Sequence, residues 1–214
     1  WKYIPKDASG WVSLFGELNG IKNLVPKREI EVIPYTVVQA DRFEKEVGNP
    51  YGDGSKNKIS AGVDGKIAVT NDFTLNYTIN PDFGQVEADP SEVNLSAFET
   101  FFQEKRPFFI EGKNIYDFRP TNGDGPNSSD NLFYSRRIGR SPQHSPDLND
   151  NEFESMPDHT DILGAFKLSG KTRKGLSVGL LETFTQKEIA KIDLEGVERK
   201  ETVEPFTNYT AGSI

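Results

Sequence analysis

Between Lys58 and Thr70 the chain alternates strictly. Ile59, Ala61, Val63, Ile67 and Val69 fall on one side, and Lys58, Ser60, Asp64, Lys66 and Thr70 on the other. Only an extended strand places every second side chain on one face, so this run excludes a helix there. After Asn71-Asp72 the pattern resumes, with Phe73, Leu75, Tyr77 and Ile79 set against Thr74, Asn76, Thr78 and Asn80. Two alternating arms around a tight polar turn predict a β-hairpin. A second hairpin is expected over 161–187: Ile162, Phe166 and Leu168 lie opposite Lys167 and Ser169, Gly170 and Gly175 bracket a turn, and Leu176, Val178 and Leu180 open the return arm. Glu29 to Gln39, rich in Ile, Val, Tyr and Thr, reads as another strand weakened by Pro34, and the tail from Val203 as a sixth.

The connections narrow the choice. They run long (41–57), short (71–72), very long (84–160), short (170–175) and long again (188–202). Outer-membrane barrels alternate in this way, with short turns at the periplasmic side and long loops outside. The opposite face of the strands is small and polar, which suits a wet lumen as well as the solvent face of a soluble β-sandwich. About eight strands are the minimum for a membrane barrel, so the barrel reading requires more strands than these. The expected fold is therefore all-β: a partial antiparallel transmembrane β-barrel of about five or six strands of a larger one. A long plug-like loop is inserted between its strands. Residues 1–27 read as a linker from a missing N-terminal domain. Residues 28–214 read as barrel, with 84–160 as the insertion, and both ends of the chain read as cuts.

Composition removes several alternatives. With no Cys there is no disulfide framework, thiolate metal site or cysteine nucleophile. A formal net charge of -8 argues against nucleic acid. No stretch approaches the roughly 20 apolar residues of a membrane helix, which leaves barrels untouched.

The insertion holds Phe98, Phe101, Phe102, Phe108, Phe109 and Phe118, too many aromatics to leave in water. A short helix capped by Ser91 or Asn94 is expected through Phe102. Phe98, Phe101, Phe102, Phe108 and Phe109 are expected to pack inside the barrel mouth as a plug. Arg136, Arg137 and Arg140 are the densest basic cluster in the chain. They read either as contacts to a sugar acid or anion, or as internal partners of Glu87, Asp89, Glu99 or Glu111 that pin the insertion to the wall, and pairing is the favoured reading. Together with Arg106 they form the expected charged lumen cluster. Glu104-Lys105-Arg106 before Pro107-Phe108-Phe109 reads as a structural lock in preference to a gate. The carboxylate pairs Glu87/Asp89 and Glu99/Glu111 are weak evidence for glycoside hydrolysis, since an acidic chain offers such pairs by chance. Asp147, Asp150, Glu152, Glu154, Asp158 and Asp161 lack the spacing of a calcium loop. His144 and His159 have no matched third ligand for zinc. No catalytic residue, metal or cofactor is assigned.

The run Asn80-Pro81-Asp82-Phe83-Gly84-Gln85-Val86-Glu87-Ala88-Asp89, then Val93-Asn94-Leu95, Phe98-Glu99 and Glu104-Lys105-Arg106-Pro107-Phe108-Phe109-Ile110-Glu111-Gly112, resembles a bacterial outer-membrane barrel family (DUF5916-like). Tyr134-Ser135-Arg136-Arg137-Ile138-Gly139-Arg140 is similar to the motif that follows there. Leu18-Asn19-Gly20-Ile21 and Glu31-Val32-Ile33-Pro34-Tyr35 are similar to its lead-in. The resemblance spans roughly 14–140 and implies an N-terminal carbohydrate-binding family 9-like domain outside this chain. It further implies location in the outer membrane of a Gram-negative envelope, with membrane lipid, envelope proteins and, through the missing domain, carbohydrate as partners. It supplies no mechanism. Envelope transport or a structural and assembly role is the expected function, with a glycan-binding or glycan-processing surface protein as the alternative.

Overall fold

The computed structural model describes residues 5, 15–20, 22, 29–81, 103–116, 118 and 131–214. Its frame is a sheet of six antiparallel strands: β1 (Ile30–Arg42), β2 (Ser55–Ala68), β3 (Phe73–Ile79), β5 (Ile162–Lys171), β6 (Ser177–Thr185) and β9 (Thr207–Ser213), in that spatial order. The hairpins expected around 71–72 and 170–175 are the β2–β3 and β5–β6 pairs, and the strand expected at 29–39 runs on to Arg42. Among the described residues β1 pairs only with β2, and the missing N–H of Pro34 breaks no ladder bond between them. The β2–β3 and β5–β6 turns lie at one end of the sheet, and residues 43–54 and 186–206 connect its strands at the other.

One expectation is corrected. Residues 188–202 are not a loop: β7 (Glu188–Leu194) and β8 (Val197–Glu204) form a hairpin. With β4 (Phe153–Ser155) they make a second sheet at the long-connection end. Val203 belongs to β8, and the sixth strand of the main sheet starts at Thr207. The hairpin is hard to read in sequence because its polarity does not follow burial: Glu188 and Glu204 are buried beside Ala190, Ile192 and Val203, while Ile189, Leu194 and Val197 are exposed. Its turn is made by Glu195 and Gly196, both at positive φ (51° and 90°), as a two-residue hairpin turn of the primed type requires.

The main sheet has an unusual sidedness. One register row runs Ile30, Ile67, Leu75, Leu168, Leu180, Gly212, and the row on the opposite face runs Glu31, Lys66, Asn76, Lys167, Leu181, Ala211. The apolar face is the open one: Ile59 is 75% exposed and Ile79 57%. The polar face is covered over β3, β5 and β6, and Lys167 is 2% exposed. The cover is the described part of the insertion, chiefly helix α1 (Pro107–Ile110), the 3₁₀ turn Lys113–Tyr116 and residues 131–140. Phe109, Tyr116 and Ile138 from the insertion bury themselves with Ile162 and Leu181 of the sheet.

Glycines and aromatics facing one another across strands fix the register. Tyr35 lies over Gly62, Tyr77 over Gly65 and Phe73 over Gly170, each pair directly opposite in the ladder. A methyl group at any of these glycines would run into the ring, so a one-residue slip would lose the fit. The helix expected through Phe102 lies outside the described residues.

Candidate functional site

The insertion is held to the sheet at two centres of different character. The first lies within the insertion. Pro107 at the start of α1 commits the chain to a helical turn there. Just ahead of it, Glu104 and Arg106 are buried together. Arg106 Nε donates to Glu104 Oε1 and Nη2 to Oε2, both at 2.8 Å. The remaining guanidinium donors reach the carbonyls of Ile138 (Nη1, 2.7 Å) and Ser135 (Nη2, 2.7 Å), and the guanidinium stacks 4.2 Å from the Phe109 ring centre. Ser135 Oγ donates to Glu104 Oε2 at 2.5 Å, and the Lys105 and Arg106 amides donate to Oε1. Burial pushes the Glu104 carboxyl up, but the Arg106 hydrogen bonds and charge and the Ser135 hydroxyl bring it below the usual carboxylate range. This fully satisfied pair ties Glu104–Phe109 to Ser135–Ile138, which fits the reading of Glu-Lys-Arg-Pro-Phe-Phe as a lock.

The second centre joins insertion to sheet. Lys66, Asn76 and Lys167 stand side by side on β2, β3 and β5. Glu111, just past α1, accepts from Lys66 Nζ at 2.5 Å and from Asn76 Nδ2 at 2.9 Å. Lys167 Nζ donates to the carbonyls of Phe108 and Glu111 and lies 4.9 Å from the Phe108 ring centre. A buried lysine is thus spent on the open carbonyls at the end of the helix. Asn76 Oδ1 is buried without a partner. Gly179 leaves room for Ile115 and Tyr116, and Tyr116 Oη reaches the Leu168 carbonyl at 3.3 Å.

Of the residues expected to build the plug, Phe108 and Phe109 meet edge to face at 5.1 Å between ring centres and pack in this interface. Phe98, Phe101, Phe102, Glu87 and Asp89 lie outside the described residues. Of the expected charged cluster, Arg106 takes Glu104, and Glu111 takes Lys66. Arg136 Nη1 donates to the Gln103 carbonyl at 3.3 Å, and Arg137 lies 6.0 Å from the Tyr134 ring centre. The Arg140 carbonyl accepts from both the amide and the hydroxyl of Thr160. Lys66, Asn76 and Lys167 were legible as members of the polar face. Their gathering into one row over Glu111 depends on register, which no single strand announces.

The acidic segment 147–161 is tied into the second sheet. Glu152 pairs with Arg199 at 2.9 Å, and the Arg199 hydrogen bonds and the Asn149 amide lower its pKa to about 2. Arg199 also reaches Glu201, which meets His144 at 2.7 Å. Asp158 pairs with Lys56 and Asp161 with Lys58 and His159. Among the described residues no group of His, Asp and Glu is arranged to hold a metal.

The fold and this interface define an all-β protein: an antiparallel meander whose polar face is covered by an insertion from its own third connection. The chain belongs to the family described as Domain of unknown function (DUF5916), whose model matches residues 26–212. No curated protein and no solved structure matches it.

Proposed function

We propose that this chain is one side of a β-barrel crossing a Gram-negative outer membrane, with the insertion as an internal plug. On this reading the protein serves passage of solutes through the envelope or a structural and assembly role there. The observation that carries the reading is the inverted burial of the main sheet. In water an antiparallel sheet hides its apolar face and wets its polar one. Here Val32, Val38, Ile59 and Ile79 are outside, and Lys167, Asn76, Thr78, Thr183 and Thr185 are inside. Lipid is the solvent in which that arrangement costs nothing.

The dimensions agree. From Ile59 in β2 to Val69 just past its end the apolar positions span ten steps of about 3.3 Å, and a strand tilted by about 40° carries that length through about 25 Å of membrane normal, the height of a barrel's apolar band. Phe166, Phe184 and Phe206 form a chain of rings 6.4–6.5 Å apart along the open face, rising toward the long connections. Aromatics collected near one end of such a band suit a membrane–water boundary. Within the described residues β1 and β9 each have a free edge, which further strands would pair in a closed barrel.

The test uses the full-length protein in a Gram-negative host. It should fractionate with outer membranes, need detergent for extraction, and migrate differently on gels before and after boiling. Recovery as a soluble monomer without detergent overturns the proposal.

A further inference from the structure

We infer that the polar side of β1 and β2 is a track for small monovalent cations, entered from the long-connection end and running between wall and insertion. This rests on the barrel reading above and adds the class of solute.

Gaps lie along this side of the sheet at three levels. The outermost, about 420 Å³, is bounded by residues 41–56 and 154–158, and five carboxylates, among them Glu44, Glu46 and Glu154, line it against one lysine, Lys56. The middle one, about 90 Å³, shares Asp41, Lys56 and Asp158 with the first and adds Asp161 and Glu188. Four carboxylates there meet Lys56, Lys58 and His159. The innermost, about 190 Å³, lies between β1–β3 and helix α1, with Glu31, Asp64 and Glu111 against Lys66. Because Lys66 is held by Glu111, the surplus at that level is Glu31 and Asp64. Every level therefore carries net negative charge, before and after its internal pairs are counted.

Acidity alone would describe any solvated surface of this chain. Two further observations single out the inner level. Asn76 lines the innermost gap, is 5% exposed, and its Oδ1 has no hydrogen-bond partner. A buried orphan acceptor beside surplus carboxylates asks for a donor or a cation. The gap is also flanked, by α1 on one side through Pro107 and Phe108 and by the sheet on the other. Fixed carboxylates along a polar path raise the local cation concentration and repel anions. Between the inner and middle levels the Tyr35 ring stands over Gly62, with Oη donating to the Asn80 carbonyl at 3.2 Å. Tyr35 is the natural constriction of the track.

The experiment is the full-length protein in planar bilayers under a KCl gradient, with heat-modifiability checked on every sample. A reversal potential favouring K⁺ over Cl⁻ by about fivefold or more is expected for the unaltered protein. The double variant Glu31→Gln/Asp64→Asn should bring the ratio close to one. Tyr35→Ala should raise conductance with selectivity retained. Should the Glu31/Asp64 variant fail to fold, Glu44→Gln/Glu46→Gln at the mouth should lower conductance at low salt and leave it unchanged at high salt, where screening removes the attraction. Anion preference, silence of protein that has inserted, or a ratio untouched by the double variant overturns the inference while leaving the barrel standing. A protein that neither inserts nor shifts on boiling brings down the barrel reading itself.

Discussion

Replacing Arg106 with Met tests whether the insertion is held by its internal ion pair. Met keeps much of the aliphatic bulk, so the loss is chiefly electrostatic. Four donor contacts vanish: two to Glu104 and one each to the Ser135 and Ile138 carbonyls. Breaking a buried pair costs about 3–5 kcal/mol, because the surviving charge stays in a poor solvent. Glu104 keeps the Ser135 hydroxyl and two backbone amides, which favours the lower end of that range. We expect about 3 kcal/mol of lost stability at pH 7, read by urea unfolding of the detergent-solubilised full-length protein. New tryptic cleavage at Lys105 and Lys113 should accompany it. The pH dependence gives an independent check. In the unaltered protein Glu104 has a lowered pKa, so its contribution is present above the ordinary carboxylate value and fades as pH falls through the folded one. In the variant only burial and the weaker donors remain, so the Glu104 pKa rises and acid should narrow the gap between the two proteins. A loss under about 1 kcal/mol at pH 7, with no new cleavage, refutes the reasoning. The double variant Glu104→Gln/Arg106→Met should recover part of the loss, since no buried charge is left behind.

Lys167→Met removes the ammonium that holds the Phe108 and Glu111 carbonyls and should loosen α1, seen as faster amide exchange over 108–113. Gly179→Val would drive a side chain into Ile115 and Tyr116 and should cost about 1–3 kcal/mol or expel the turn, seen as faster amide exchange over 113–116. Arg199→Ala removes the shared partner of Glu152 and Glu201 and should release residues 141–152 to proteolysis while leaving the main sheet's exchange unchanged.

The sequence by itself determined the strands of the main sheet and their sidedness. A strand's faces are set by period-2 alternation, and Lys58–Thr70 and Phe73–Ile79 show it without interruption. It marked Glu-Lys-Arg-Pro-Phe-Phe as a lock but not its means, since the Glu104–Arg106 pair and the helical turn at Pro107 emerge only in the fold. It did not announce β7–β8, whose exposed positions mix Ile189, Leu194 and Val197 with charged residues and whose buried positions include Glu188 and Glu204. Nor did it announce that Glu111 belongs to Lys66 and Asn76 and not to the arginines at 136–140. Partners separated by 35 or 45 residues are chosen by strand register and by where the insertion folds back. Those are properties of the assembled sheet, decided by Tyr77 over Gly65 and Ile115 against Gly179, and no local pattern encodes them.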